Sequence, residues 1–287
     1  MSSAISWRPW TWPHVSGVAG GGTQGRVLIA AGSDSGGGAG IQADIKTVTA
    51  LGGYAATAIT AITIQNTLGV QGVHDVPADV VERQMRAVLE DIGADAIKTG
   101  MLQNRAVIEA VARAAETTDV PLVVDPVVIA TSGDRLTTED TVQSLISLLF
   151  PRSIVVTPNV AEAEMLVGEE ILSLTGMRHA ARALRAFGAP AALITGGEHE
   201  PGKIIDLLLT EEGETLFEAE RVDTRHTHGT GCTLASAIAT GVAQGADLRS
   251  AVGRAHRYVQ AAIRTAPGFG KGKGPLNHGH AISPYEG

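Results

Sequence analysis

Small polar residues and glycines recur at one end of a series of short apolar segments. The first stretch is residues 32–40, GSDSGGGAG, and the last is residues 228–233, HGTGCT. Gln65, Asp125 and Asn159 each follow another apolar segment. Amide, carboxylate and glycine backbone groups can together hold a phosphorylated or heterocyclic ligand. So many of these groups at the ends of successive segments predict a small-molecule site.

The last of these stretches gives the most specific prediction. Gly229 and Gly231 stand at the start of a predicted helix, where converging backbone N–H groups and the helix dipole favour an anion. Thr230 and Thr233 could add hydroxyl donors. Cys232 falls in the first turn, where we expect a lowered thiol pKa and an accessible thiolate. Considered without its neighbours, this cysteine would be interpreted as a packed apolar residue. The adjacent Gly-Thr-Gly favours a catalytic interpretation instead.

Other phosphate-binding motifs are missing from the sequence. It contains neither a Gly-x-x-x-x-Gly-Lys-Ser/Thr loop nor a His-Arg-Asp catalytic loop. The phosphates of any nucleotide would therefore be held in another way. The polar groups also have plainer interpretations, since a glycine-rich turn is often only a turn and Asn159 could simply cap a helix.

Alternating strands and helices must position these residues. Residues 27–31 and 56–64 have the composition of buried strands, and residues 41–51 carry apolar side chains at helical spacing. The alternation continues along the chain and predicts a mostly parallel sheet covered by helices on both faces. Residues 205–209 and 215–219 predict an antiparallel hairpin. Ligands bind beyond the carboxyl ends of the strands in such sheets, which is where the polar groups fall.

Composition sets limits on partners and location. The formal net charge is −8, which disfavours binding to nucleic acid or to an anionic membrane. No apolar run approaches the about 18 residues that a membrane span needs. The single cysteine excludes an intrachain disulfide and predicts a cytoplasmic protein. Residues 1–25 hold all three tryptophans and predict a poorly ordered extension, followed by a single domain over residues 26–287.

Five segments carry a resemblance to a known family. They are residues 32–46, residues 60–67, Asp-Pro-Val at 125–127, Thr-Pro-Asn-x-x-Glu-Ala at 157–163 and His-Gly-Thr-Gly-Cys-Thr at 228–233. In this order they resemble the hydroxymethylpyrimidine/phosphomethylpyrimidine kinases, the thiamine-pathway branch of the ribokinase-like superfamily. The resemblance implies an α/β protein with a three-layer α/β/α ribokinase-like fold, a mostly parallel central sheet and a small β flap.

The resemblance also implies a reaction and roles for the site residues. These kinases use ATP and Mg²⁺ to phosphorylate 4-amino-5-hydroxymethyl-2-methylpyrimidine and, in many members, its monophosphate; they are usually homodimers. Cys232 would accept the substrate hydroxyl proton within an anion hole formed with Gly229 and Gly231. Asp44 and Gln65 would hydrogen-bond the aminopyrimidine. The other implied positions are Gly32, Met101 and Val127 in the substrate pocket, Asp125 and Glu162 at Mg²⁺, and Asp125, Asn159, Glu162, Thr195 and Thr230 at ATP.

The chain also departs from the family pattern. Thr195 and Glu198 stand where many members have a lysine and a histidine, which removes a positive charge from the nucleotide site. Two alternatives stay open: a pyridoxal or pyridoxine kinase of the same fold, and a non-catalytic pyrimidine-binding protein. Asp44 together with Gln65 favours the aminopyrimidine, and the intact carboxylates and cysteine favour an enzyme.

Overall fold

The computed structural model describes residues 24–128, 138–198 and 202–283. The extension predicted for residues 1–25 thus lies outside the described residues except for its last two. The elements in chain order are β1 (Arg26–Asp34), α1 (Gly40–Ala50), β2 (Tyr54–Asn66), β3 (Gly69–Asp75), α2 (Ala78–Asp91), β4 (Ala96–Thr99), α3 (Arg105–Ala115), β5 (Leu122–Val124), α4 (Glu139–Ser144) with a π-helical turn (Leu145–Leu149) and a 3-10 turn (Phe150–Arg152), β6 (Val155–Val156), α5 (Val160–Val167), α6 (Leu174–Ala186), β7 (Ala192–Glu198), β8 (Lys203–Leu209), β9 (Glu214–Glu220), α7 (Thr230–Ala243) and α8 (Leu248–Arg264).

The strands form one sheet in the order β3-β2-β1-β4-β5-β6-β7-β8-β9. The six strands from β2 to β7 in this order run parallel. β3 pairs antiparallel with β2 at one edge, and β8 and β9 add an antiparallel hairpin at the other. The predicted mostly parallel sheet with a small β flap is therefore confirmed.

Apolar layers cover both faces of the sheet. One layer packs α2, α3, α5 and α6 against the sheet, and the other packs α1, α7 and α8 against the opposite face. Successive residues of β1 alternate between them: Leu28 and Ala30 face the first layer, and Val27, Ile29 and Ala31 face the second. A strand apolar at every position is typical of a sheet buried on both sides. This confirms the three-layer prediction.

The parallel strands bring their carboxyl ends to one edge of the sheet. The loops that follow β1, β4, β5, β6 and β7 therefore meet there, as expected for ligand sites in such sheets. Within the described part of the chain, no helix is both long and apolar enough to cross a bilayer.

Candidate active site

A cavity of about 940 Å³ opens at the carboxyl ends of the parallel strands. Its size is at the upper end of the range for small-molecule sites, which leaves room for a nucleotide beside a second ligand. The cavity brings together nearly all of the residues predicted from the sequence. Those that line it are Gly32, Gln65, Met101, Asp125, Val127, Asn159, Glu162, Thr195, Gly229, Thr230, Gly231 and Cys232.

Asp44 is the exception, because the structure does not bring it to the cavity, and its contact with the substrate stays a prediction. The side chain is fully buried and does not line the cavity. Its Oδ1 accepts from Ser236 Oγ at 2.7 Å and from Lys98 Nζ at 3.0 Å, and its Oδ2 lies 3.1 Å from the same Nζ. Because the protein itself occupies both oxygens, Asp44 serves as the counter-ion of a buried lysine.

The same lysine approaches Asp125 at the end of β5. Lys98 Nζ lies 3.7 Å from Asp125 Oδ2, and this oxygen is buried without a hydrogen-bond partner among the described residues. Burial raises the pKa of Asp125 to about 6; Lys98 opposes this rise and the charge of Asp44 adds to it. Asp125 therefore offers a buried oxygen that a cation or a ligand donor could satisfy.

Asn159 and Glu162 form a capping box at the start of α5. Asn159 Oδ1 accepts the backbone N–H of Glu162 at 2.9 Å, and Glu162 Oε2 accepts that of Asn159 at 3.1 Å. Asn159 thus caps its helix while also lining the cavity. Burial raises the pKa of Glu162 to about 8, and the charge of Asp125 adds to the rise. A cation between the two groups would stabilise an ionised Glu162 beside Asp125.

Asp125 and Glu162 are the carboxyl groups that fit Mg²⁺ in this cavity. No cluster of three or more metal-ligating side chains occurs within the described ranges. Mg²⁺ commonly binds through one or two carboxylates and takes its other ligands from phosphates and water. The unpartnered oxygen of Asp125 and the adjacent Glu162 match that mode of binding.

The start of α7 provides backbone groups rather than hydroxyl groups. Gly229, with φ +87°, precedes the helix, and first-turn N–H groups lack partners within a helix. Thr230 Oγ1 donates to Thr227 O at 2.7 Å, and Thr233 Oγ1 donates to Gly229 O at 2.7 Å. Both hydroxyl hydrogens are therefore used within the protein, while the contact of Thr230 with ATP stays a prediction.

The pKa of Cys232 is raised, which contradicts the lowered value expected from the sequence. Burial raises it to about 12; Lys98 lowers it in part, whereas Asp125 and Asp44 raise it further. Desolvation and two carboxyl groups thus outweigh the field of the helix start. With its pKa raised this far, the Cys232 thiol keeps its proton at neutral pH.

Asp34 and His228 also line the cavity and were missed by the sequence-based analysis. The Asp34 carboxylate accepts the backbone N–H groups of Gly36, Gly38 and Ala39 at 2.7, 3.0 and 2.8 Å, and His228 Nε2 lies 2.9 Å from its Oδ2. Burial alone would raise the pKa of Asp34, but the hydrogen bonds from His228, Ala39 and Gly36 outweigh it and lower the pKa. An aspartate just before a run of glycines is the signal that could have identified it.

The two glycine-rich segments touch. The carbonyl oxygen of Gly38 lies so close to Gly229 that a Cβ on Gly229 would overlap it. Gly32 likewise lies against the Met101 side chain in the predicted substrate pocket. Glycine at these positions permits contacts that a side chain would block.

The loop after β7 holds the departures from the family pattern. Gly196, with φ +77°, donates its N–H to Asp206 Oδ1 at 2.8 Å, and burial raises the pKa of Asp206 to about 6. Thr195 faces the cavity beside it. Glu198 pairs with Arg221, which also lines the cavity. A positive side chain therefore lies near this loop even though Thr195 carries no charge.

Comparisons with known proteins identify the family of this chain. The family model for phosphomethylpyrimidine kinase matches residues 34–277. The hydroxymethylpyrimidine/phosphomethylpyrimidine kinase of Streptomyces coelicolor is 47% identical over 256 residues, which cover 89% of this chain and 95% of that protein. The phosphomethylpyrimidine kinase structure from Clostridium difficile 630 is 36% identical with a TM-score of 0.73, covering 83% of this chain and 99% of its own. Bacillus subtilis pyridoxal kinase, solved as an ADP complex, is 35% identical with a TM-score of 0.82. The match covers 88% of this chain and 97% of that kinase.

These matches confirm the ribokinase-like fold and the prediction of a nucleotide-dependent kinase acting on a small molecule. They do not support the alternative of a non-catalytic binding protein. The family model covers most of the chain, and the Streptomyces relative matches it over nearly the whole length of both. The chain belongs to the phosphomethylpyrimidine kinase family.

Proposed function

We propose that the protein transfers the γ-phosphoryl group of ATP to 4-amino-5-hydroxymethyl-2-methylpyrimidine, and then to the monophosphate, in thiamine biosynthesis. One observation carries the proposal: a single cavity places Gln65 and the glycine start of α7 together with Asp125 and Cys232. Gln65 provides an amide for the aminopyrimidine, and the helix start provides N–H groups for phosphate. Phosphoryl transfer depends mainly on positioning and charge stabilisation, which these groups supply.

Cys232 accepts the proton of the substrate hydroxyl in this proposal. The raised pKa of the thiol requires that it lose its own proton as it gains the new one, and we assign that proton to Asp125, whose charge acts on Cys232 within the same cavity. The hydroxyl proton passes to Cys232 Sγ while the thiol proton passes to the Asp125 carboxylate. The freed oxygen bonds to the γ-phosphorus, and the bond from phosphorus to ADP breaks.

Asp125 and Glu162 would hold Mg²⁺, which neutralises phosphate charge when bound. Without it, the Asp125 carboxylate would repel an incoming nucleotide, whereas Glu162, with a pKa of about 8, would be mostly protonated. Arg221 and Thr195 line the cavity and would contact phosphate where relatives often carry lysine.

A pyridoxal kinase is the second candidate. The TM-score of 0.82 to Bacillus subtilis pyridoxal kinase, against 0.73 to the Clostridium difficile phosphomethylpyrimidine kinase, favours it. The greater identity to the Streptomyces enzyme favours the pyrimidine.

A homodimer is part of the proposal. Ile62, Ile64, Leu68 and Val73 are exposed apolar side chains on β2, β3 and their connecting turn. Burying them against a second copy would remove an apolar surface from water. Light scattering should give about twice the mass of one chain, and the mass of a single chain would contradict the dimer. The cytoplasmic location stays a prediction.

The testing experiment measures ADP formation with Mg²⁺ and ATP against the hydroxymethylpyrimidine, its monophosphate and pyridoxal. The wild type should turn over both pyrimidines, Cys232→Ala should lose at least about a hundredfold in kcat, and Cys232→Asp should retain part of it because it restores a proton acceptor. Turnover of pyridoxal alone would support the second candidate. Binding of the pyrimidine without any turnover would contradict the proposed reaction.

A further inference from the structure

Gln65 reaches the cavity from the end of β2 and is held on several sides. Its backbone is fixed by Ser35, whose Oγ lies 2.8 Å from both Gln65 O and Gln65 N. One end of the side-chain amide lies 3.1 Å from Thr63 Oγ1, and the other end lies 3.3 Å from His228 Nε2. The oxygen and nitrogen of an amide have nearly the same shape. The donors and acceptors around the amide must therefore determine which position holds the oxygen and which the nitrogen.

The contact with Asp34 determines that Nε2 of His228 carries a hydrogen atom. Its Oδ2 lies 2.9 Å from His228 Nε2, and the carboxylate already accepts three backbone N–H groups. An ionised carboxylate has no hydrogen to donate, so Nε2 of His228 must carry the hydrogen of this contact. A ring nitrogen that donates cannot also accept from an N–H of Gln65. The end of the Gln65 amide that faces His228 is therefore the oxygen.

Thr63 requires the same orientation. Its hydroxyl has one hydrogen, and Ser33 O accepts it at 2.9 Å. The hydroxyl oxygen can then accept, so the Gln65 nitrogen belongs on the Thr63 side. With Oε1 beside Thr63 and Nε2 beside His228, two N–H groups would meet at His228 and two acceptors would compete for one hydroxyl hydrogen. Exchanging the two amide atoms removes both conflicts.

We propose that Asp34, His228 and Thr63 are positioning residues that lock the Gln65 amide, so that its free edge presents an oxygen lone pair beside one N–H. An aminopyrimidine carries an exocyclic N–H next to a ring-nitrogen acceptor and pairs with such an edge through two hydrogen bonds, as glutamine pairs with adenine. A ring without an amino group beside its nitrogen loses one of them. The inference rests on the proposed function and assigns the choice of substrate class to these residues.

The amide orientation can be measured without any substrate. In protein labelled with 15N-glutamine, the side-chain NH₂ protons of Gln65 should show nuclear Overhauser effects to the Thr63 methyl group and none to the His228 ring. The Gln65→Met variant identifies the signal by its loss. Effects to the His228 ring instead would overturn the lock, whichever reaction the protein catalyses.

Kinetics then test the consequence for specificity. The substrates are the hydroxymethylpyrimidine and its analogue that lacks the amino group. The wild type should prefer the amino compound about tenfold or more in kcat/KM, as expected for one hydrogen bond at a buried site. Thr63→Val keeps the shape but removes the acceptor that holds the amide. It should reduce the preference about tenfold, mostly through KM.

Thr60→Val is the matched control, because it removes one buried hydroxyl of β2, which donates to Met101 O at 2.7 Å, without touching Gln65. It should keep the wild-type preference. An unchanged preference in Thr63→Val would overturn the lock and leave the proposed function intact. A wild type that phosphorylates only pyridoxal would overturn the proposed function, and the amide measurement would still decide the orientation.

Discussion

Lys98 Nζ lies 3.0 Å from Asp44 Oδ1, and both side chains are fully buried. Ser236 Oγ donates to the same carboxylate at 2.7 Å. The three residues belong to β4, α1 and α7, so this contact joins the helices that follow the two glycine-rich segments, residues 32–40 and 228–233. Burying two charges costs desolvation, and their contact offsets that cost only while both partners are present.

Replacing Lys98 with methionine should therefore destabilise the protein by about 3 to 5 kcal/mol, because the Asp44 carboxylate stays buried without its counter-ion. Urea unfolding followed by circular dichroism measures the loss. The double variant Lys98→Met/Asp44→Asn carries neither charge and should recover at least half of it. Equal losses in the single and double variants would show that packing, not charge, causes the effect.

Gly229→Ala tests the contact between the two glycine-rich segments. Gly229 has φ +87°, and a Cβ there would overlap Gly38 O, so alanine must push the first glycine loop away from α7. We expect kcat/KM to fall at least about a hundredfold, since displacing a site by about 1 Å costs that much.

Gly245 provides the matched control. It has the same φ of +87°, but no atom lies within 4 Å of its Cβ position. Gly245→Ala should cost about 1 kcal/mol of backbone strain and leave kcat/KM unchanged. Similar losses of kcat/KM in both variants would mean that strain alone, and not the contact with Gly38, impairs the enzyme.

Much of the fold could be predicted because its helices and inner strands follow simple apolar patterns. The strand predicted at residues 27–31 and the helix predicted at residues 41–51 occur as β1 and α1. β3 was missed because its residues are mostly exposed or half-buried, so no apolar period marks it. Its position depends on pairing with β2, which local sequence does not specify.

The sequence predicted those site residues whose location follows from the ends of strands and helices. It did not predict the charge interactions between residues of different elements. Asp44 stands three residues after Ile41 and four before Val48, so helical spacing alone places it on the buried face of α1. Nothing in that spacing identifies Lys98, 54 residues away, as its partner. The raised pKa of Cys232 has the same origin, because it depends on burial and on carboxyl groups from β5 and α1.

Asn159→Asp separates the helix cap from the nucleotide contact. Aspartate accepts the N–H of Glu162 as well as asparagine does, so the free energy of unfolding should change by less than about 0.5 kcal/mol. The added charge faces a cavity that already contains Asp125 and Glu162. We therefore expect the KM for ATP to rise about tenfold, as measured by ADP formation at varied ATP.

Asn104→Asp is the control for that variant, because Asn104 caps α3 through the N–H of Val107 and does not line the cavity. It should leave the KM for ATP unchanged. An unchanged KM in Asn159→Asp as well would assign Asn159 to capping alone.

Asp206→Asn tests how the loop after β7 depends on pH. Burial raises the pKa of Asp206 from 3.8 to about 6, and the N–H of Gly196 opposes this rise. The folded protein thus keeps this proton to a higher pH than the unfolded chain. The contribution of this proton to the free energy of unfolding is fully present below pH 3.8, and it is lost as the pH rises through about 6.

In the Asp206→Asn variant the new amide oxygen can still accept from Gly196 N–H, but the side chain cannot ionise. Relative to the variant, the wild type should lose about 2 kcal/mol of unfolding free energy between pH 4.5 and pH 7.5. Urea unfolding of both proteins at several pH values in this range measures the difference. A difference that stays constant with pH would show that the pKa of Asp206 is the same in the folded and the unfolded protein, and would contradict the raised value.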